Sequence, residues 1–150
     1  MKGQMVAISV SEQKGTRKHN VKEAHLLTDH GIEGDAHAGE GHRQVSLLAM
    51  ESIEKMVSQG LEVGPGDFAE NLTTRGIDLL RLPVGTRLAL GKEKEVLVEV
   101  TQIGKECHSR CAIYYLAGDC VMPKEGIFVK VLKGGKILPG DPIEVIGEVD

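Results

Sequence analysis

The chain has 150 residues, about the size of one domain, and we predict a single domain over residues 1–150. Its 18 basic and 22 acidic residues leave a net charge of −4 with no long basic run, which argues against a nucleic-acid-binding protein. The sequence shows neither a run of about 20 apolar residues nor a signal-peptide pattern. We therefore expect a cytoplasmic protein with no membrane partner.

Short apolar runs separated by glycines predict many short strands joined by tight turns, and the chain has 19 glycines. In chain order, the predicted strands are 5–10, 23–27, 44–48, 71–74, 87–90, 96–102, 127–132 and 143–146. Residues 133–136 predict a hairpin turn and residues 139–141 another turn. Aromatic residues make up only 3% of the chain and Trp is absent, so the core must be built from Val, Ile and Leu.

One helix is predicted over residues 49–59, between the third and fourth strands. Its apolar residues recur at helical spacing on one face, and they are Met50, Ile53, Met56 and Val57. Gly60 suits a left-handed C-terminal cap. A second helix is predicted over residues 109–117. The predicted fold is mainly β, with one or two covering helices, and closure into a barrel would remove exposed strand edges.

A glycine-rich loop carries two polar side chains that could line a binding pocket. Asp35 and His37 are two residues apart and would share one face of extended backbone. The flanking glycines would let the backbone approach a ligand closely. The alternative is a solvated loop in which Asp35 bonds its own backbone.

Three further polar residues stand at the ends of predicted strands. Arg43 has a planar guanidinium that suits a phosphate or another oxyanion; an exposed ion pair of little energetic value is the alternative. Asn71 follows Glu70, and its amide has donors and acceptors that could read the edge of a heterocycle such as a pterin. The alternatives are a turn or strand cap for Asn71 and a solvated face for Glu70.

Cys107 lies in a polar stretch directly after a predicted strand, with Lys105 and His108 close by. A reactive cysteine needs water access and a nearby positive charge, because the thiolate is the nucleophile. Cys107 therefore has the surroundings of a reactive thiol rather than of a buried structural cysteine.

Four segments, in this order and at this spacing, resemble the MOSC domain, the module named for the C-terminal part of molybdenum cofactor sulfurase. They are 31–46 (GIEGDAHAGEGHRQVS), 64–76 (GPGDFAENLTTRG), 98–102 (VEVTQ) leading into the cysteine, and 126–135 (GIFVKVLKGG). The resemblance covers about residues 21–145 and implies a β-barrel-like fold. Family members often have Pro directly before the cysteine, where this chain has Glu106.

The resemblance also implies a site for the molybdenum cofactor, or molybdopterin. Arg43 would bind the pterin phosphate and Asn71 the ring system, and Cys107 would be the reactive residue or the molybdenum ligand. The remaining cofactor-binding residues that it implies are Asp35, His37 and Glu70.

The implied function is that of a small stand-alone MOSC protein that binds molybdenum cofactor or carries sulfur for cofactor or metal–sulfur cluster maturation. Cys107 would accept sulfur as a persulfide from a cysteine desulfurase and pass it to a partner such as a molybdenum cofactor enzyme. Such a protein would be a sulfur transferase. Two alternatives remain open: a molybdenum-cofactor-dependent oxidoreductase that reduces N-hydroxylated compounds, and a non-enzymatic zinc-binding or adaptor module. The family's association with pyridoxal phosphate belongs to a large desulfurase domain that this sequence lacks, so we expect no such group.

The three cysteines allow three interpretations. In the first, Cys107 carries sulfur or ligates molybdenum. In the second, the cysteines bind zinc together with His108, although their spacing matches no common zinc finger. In the third, Cys111 or Cys120 forms a redox disulfide with Cys107 or acts as its resolving thiol.

Overall fold

The computed structural model describes residues 1–13, 18–41, 43–104 and 125–147. The predicted helix at 109–117, His42 and all three cysteines lie outside these residues. The described part contains one α-helix, α1 (Met50–Ser58), and one 3-10 turn, Leu79–Arg81. The strands are β1 (Lys2–Val10), β2 (His19–Val21), β3 (Ala24–Leu27), β4 (Gly31–Ile32), β5 (Val45–Ala49), β6 (Leu72–Arg75), β7 (Arg87–Leu90), β8 (Val96–Ile103), β9 (Ile127–Lys133), β10 (Gly135–Ile137) and β11 (Pro142–Gly147).

Seven strands form a closed barrel in the order β11-β7-β8-β9-β5-β6-β1, and β1 pairs with β11 to complete the ring. Among the described strands, only β5 and β6 run parallel. Parallel neighbours need a crossover connection, and here that connection contains α1. The long strand β1 serves two partners along one edge, because its first residues pair with β11 and its last with β2. The predicted β-barrel with a covering helix is confirmed.

The remaining three strands form a separate small sheet in the order β10-β3-β4. The hairpin turn predicted at 133–136 is therefore wrong, because β9 pairs with β8 and β5 whereas β10 pairs with β3. Gly134 is needed for close approach instead, since a Cβ there would clash with the backbone of Leu26. The turn predicted at 139–141 is confirmed: Gly140 has φ +94°, and the Asp141 amide donates to the Leu138 carbonyl at 3.1 Å.

The barrel interior is aliphatic, as the shortage of aromatic residues predicted. Its fully buried side chains include Met5, Ile8, Leu47, Leu72, Leu88, Val98, Val129 and Ile143. A second apolar cluster lies outside the barrel wall, where α1 packs against β5 and β6. Both phenylalanines belong to this outer cluster, with Leu48, Ile53 and Met56.

Helix α1 ends as the sequence predicted. Gly60 has φ +94°, and its amide donates to the Val57 carbonyl at 2.9 Å. The Leu61 amide donates to the Met56 carbonyl at 3.3 Å, which completes a Schellman cap. Val57 is 47% exposed, so the buried stripe is narrower than predicted. Within the described residues, no helix has the length and apolar character needed to cross a membrane.

Candidate functional site

Asp35 is the centre of a buried polar cluster at the loop that follows β4. Its Oδ1 accepts hydrogen bonds from Lys18 Nζ at 2.7 Å and from the Ser11 amide at 3.1 Å. Its Oδ2 accepts from the His37 amide at 3.2 Å, and the Asn71 side chain lies close enough to help lower the pKa of Asp35. Burial alone would raise the pKa of Asp35, but the hydrogen bonds and the charge of Lys18 outweigh it and lower that pKa. Asp35 is therefore a buried carboxylate. The alternative of a solvated loop is wrong about solvent exposure, but the bond from the His37 amide is the local backbone contact that this alternative predicted.

Lys18 is a member of this cluster that the sequence interpretation missed. Its side chain is 0% exposed. Besides the Asp35 contact, its Nζ lies 2.9 Å from His37 Nδ1 and 3.2 Å from Ser11 Oγ. Lys18 ends a basic stretch that is typical of a solvated surface, and its carboxylate partner is 17 residues away. No local pattern distinguishes such a lysine from an exposed one.

Gly66 and Glu70 hold the backbone at Lys18. The Lys18 amide donates to the Gly66 carbonyl at 3.0 Å. Gly66 has φ +94°, and a Cβ on it would lie 2.5 Å from the Lys18 carbonyl oxygen, so only glycine fits. The Gly66 amide in turn donates to Glu70 Oε1 at 3.0 Å, and Thr73 Oγ1 donates to Glu70 Oε2 at 2.9 Å.

Glu70 is fully buried, so the solvated-face alternative for this residue is wrong. Burial raises the pKa of Glu70, and the hydrogen bonds that it accepts only partly offset this effect. The described contacts make Glu70 a support for the loop that positions Lys18. Direct contact of Glu70 with a cofactor stays a prediction.

Asn71 links the Asp35 cluster to strand β5. Its Oδ1 accepts from the Ser46 amide at 3.0 Å and from Ser46 Oγ at 3.2 Å, while its Nδ2 donates to the Ser9 carbonyl at 3.1 Å. The side chain is fully buried between β1 and β5. These bonds match the strand-cap alternative. Hydrogen bonding of Asn71 to the edge of a heterocycle stays a prediction.

Arg43 lies on the outer face of the barrel, next to β8 and β9. Its Cζ is 5.4 Å from the centroid of the Phe128 ring, and its Nε donates to Gln102 Oε1 at 2.9 Å. Gln102 Nε2 donates to the Gly104 carbonyl at 2.7 Å. Among the described residues Arg43 forms no ion pair, so the structure does not support that alternative.

The predicted site residues are thus partly brought together. Asp35 and His37 are joined by a direct hydrogen bond, and Asn71 lies beside Asp35. Arg43 is connected to them indirectly, because Ser46, the partner of Asn71, pairs in the ladder with Phe128, over which the guanidinium lies. Cys107 lies outside the described residues, and its placement stays a prediction.

Two other features of the described residues bear on this assignment. They contain no group of three or more His, Cys, Asp or Glu side chains that could hold a metal ion. A groove of about 500 Å³ lies between α1 and residues 76–80, with Ser52, Lys55 and Glu125 among its lining residues. It shares no residue with the polar cluster, and its basic lining residue, Lys55, pairs with Glu125 at 2.7 Å.

The family model described as MOSC domain matches residues 33–144, more than half of the chain. The chain belongs to the MOSC domain family. The matched range includes every site residue predicted from the sequence, whereas Lys18 precedes it. No curated protein matches this MOSC chain.

Solved structures show the same fold. The YUAD protein from Bacillus subtilis has a TM-score of 0.78 at 17% identity, covering 97% of this chain and 96% of that one. YiiM from Escherichia coli has a TM-score of 0.71 at 22% identity, covering 100% of this chain and 72% of its own. YiiM from Geobacillus stearothermophilus has a TM-score of 0.72 at 22% identity, covering 97% and 75%. At these identities the likeness establishes the MOSC fold alone.

Proposed function

We propose that this MOSC protein binds the molybdenum cofactor, a phosphate-bearing pterin that holds molybdenum, and acts through Cys107 as a sulfur carrier or molybdenum ligand. The observation that carries the proposal is the orientation of Arg43. Its guanidinium is fixed by the Phe128 ring and by Gln102, and among the described residues its two terminal amino groups form no hydrogen bond. A guanidinium held in this way offers a planar fork that fits a phosphate bidentately.

The charges around the cluster support Arg43 as the anion anchor. Lys18 and Asp35 neutralise each other at 2.7 Å, so the buried cluster supplies no net charge of its own. Lys130, on the same outer face, is half-exposed and pairs with Glu99 at 3.4 Å. The phosphate end of the cofactor thus fits Arg43. His37 would line the wall beside it, and Asp35, which is shielded from solvent, would support His37 from behind. When bound, the cofactor would supply molybdenum redox chemistry, and a thiolate is a suitable soft ligand for such a metal.

As a sulfur carrier, Cys107 would act by thiol exchange. Its thiolate attacks the outer sulfur of a persulfide on a cysteine desulfurase, forming the new S–S bond while the donor's S–S bond breaks and the donor cysteine leaves as a thiolate. The same exchange in reverse hands the sulfur to an acceptor thiol, for example on a molybdenum cofactor enzyme. No oxidant or reductant is consumed in either exchange. A cytoplasmic location stays a prediction.

Mass spectrometry of untreated protein from cells that make molybdenum cofactor tests the proposal. We expect an extra sulfur atom on the Cys107 peptide, a bound phosphopterin, or both. Arg43→Ala should lose the pterin and keep the sulfur, whereas Cys107→Ser should lose the sulfur. Protein with neither group would contradict the proposal.

Two outcomes would redirect the assignment. Stoichiometric zinc without pterin would favour the zinc-binding or adaptor module. Turnover of an N-hydroxylated compound by the pterin-loaded protein would favour the reductase.

A further inference from the structure

We propose that Lys18 is a positioning residue that holds His37 as a neutral imidazole with its single ring proton on Nε2. Nothing in the family assignment points to this, because Lys18 precedes the matched range. The inference goes beyond the proposed function, since it concerns the protein without any cofactor.

The hydrogen-bond inventory of Lys18 sets the direction of its contact with His37. An ammonium group has three donors and no acceptor. Two of its partners are certain acceptors: Asp35 Oδ1 at 2.7 Å, and Ser11 Oγ at 3.2 Å, whose own proton goes to the Gln13 carbonyl at 3.1 Å. The third partner is His37 Nδ1 at 2.9 Å. Nδ1 must then accept, so it carries no proton.

The reverse arrangement, an imidazolium that donates to a neutral lysine, is disfavoured. Free lysine is more basic than free histidine by about four pKa units, a ratio of roughly ten-thousand-fold. The Asp35 carboxylate at 2.7 Å is the partner that an ammonium group on Lys18 requires in this buried position. A doubly charged pair, with ammonium and imidazolium in contact, would place two like charges 2.9 Å apart. Ammonium with neutral imidazole is the remaining state.

This state restricts what His37 can bind. With Nδ1 occupied and Nε2 protonated, neither ring nitrogen has a lone pair for a metal ion. The ring offers one N–H donor, so any ligand group set against Nε2 must be a hydrogen-bond acceptor such as a phosphate or carbonyl oxygen. The backbone of His37 is held at the same carboxylate, since the His37 amide donates to Asp35 Oδ2 at 3.2 Å.

Nuclear magnetic resonance of 15N-labelled protein at neutral pH tests the assignment. Long-range 1H–15N correlations distinguish a protonated from an unprotonated ring nitrogen, and His37→Gln identifies the His37 signals among the six histidines. We expect Nδ1 unprotonated and Nε2 protonated. A proton on Nδ1 at neutral pH, alone or with one on Nε2, would overturn the inference.

The role of Lys18 is tested with Lys18→Met, which keeps the length of the side chain but removes the donor. The matched control is Lys136→Met, because Lys136 pairs at 3.0 Å with Glu23 on the surface. In folded Lys18→Met, His37 should change to a mixture of tautomers or to the imidazolium, since Asp35 has lost its cation. An unchanged His37 pattern would overturn the positioning role, and the control should leave the pattern as it is.

The wild-type spectrum alone decides the inference if Lys18→Met does not fold. A protein that shows the expected tautomer but binds no pterin would contradict the proposed function and leave this inference standing.

Discussion

Lys18 Nζ lies 2.7 Å from Asp35 Oδ1, and both side chains are completely shielded from solvent. The pair connects the start of β2 to the loop after β4. Burying two charges is costly, and the cost is offset only where further hydrogen bonds satisfy both groups. Lys18 has three acceptors here, and Asp35 has donors on both of its oxygens.

Removing Lys18 should destabilise the protein strongly. Lys18→Met leaves the Asp35 carboxylate buried without its cation, which typically costs about 3–5 kcal/mol of the free energy of unfolding. The control Lys136→Met removes an exposed ion pair and should change the free energy of unfolding little. Urea unfolding of both variants at neutral pH measures the difference. An equal loss of the free energy of unfolding in the two variants would mean that the buried ion pair stabilises the protein no more than the exposed one.

Glu70 should give the protein an unusual pH dependence. Its folded-state pKa is raised above 4.5, so its contribution to stability is fully present below the unfolded pKa and is lost as pH rises through the folded pKa. Glu70→Gln cannot ionise and should lose this decline while keeping a polar group near Gly66 and Thr73. The check is the free energy of unfolding in urea from pH 4.5 upward. Parallel pH profiles for wild type and variant would refute the burial effect.

Arg43 should matter for ligand binding and little for folding. If it forms a charge-assisted bond to the cofactor phosphate, Arg43→Ala should cost about 1.5–3 kcal/mol of binding, roughly 10- to 150-fold in Kd. Arg43→Lys should recover only part of the lost binding affinity, because an ammonium group cannot form the bidentate fork. Titration with a pterin phosphate, alongside thermal melts, provides both readouts. An unchanged Kd in Arg43→Ala would exclude the anchor role.

Cys107 should be the most reactive of the three thiols. It follows a strand in a polar stretch near Lys105 and His108, and a neighbouring cation favours the thiolate. Limited alkylation of the native protein followed by peptide mapping should find Cys107 modified first. Faster modification of Cys111 or Cys120 would reverse the assignment.

Folding should not depend on zinc. The aliphatic barrel core is large, and the cysteine spacing suits no common zinc finger. In a domain folded by zinc, the metal supplies apparent binding energies of about 10–16 kcal/mol, so a strong chelator would unfold it. We expect the cooperative thermal transition to survive chelation. A transition that disappears with chelator and returns with zinc would disprove this expectation.

The sequence predicted the barrel strands well because each depends on local pattern. Alternating apolar residues in β8 and β9 and the Schellman glycine at Gly60 carry their signals within a few positions. The short strands β2, β4 and β10 were missed, since runs of two or three residues have no readable period. The same limit explains the error at Gly134, whose local pattern does not distinguish a turn from a close approach to Leu26.

The sequence by itself determined the MOSC motifs, the aliphatic core and the candidate polar residues, because these depend on residue type and spacing along the chain. Only the tertiary structure decided which of those residues meet. In the folded protein, Glu70 and Asn71 are buried and hydrogen-bonded within the barrel wall, whereas Arg43 remains exposed and lies over the Phe128 ring. The tertiary structure also buries Lys18, one residue of a basic stretch, and pairs it with Asp35, 17 residues away. The physical reason is that a buried charge persists only where distant segments supply its partners, and this pairing is a property of three-dimensional packing rather than of any local pattern.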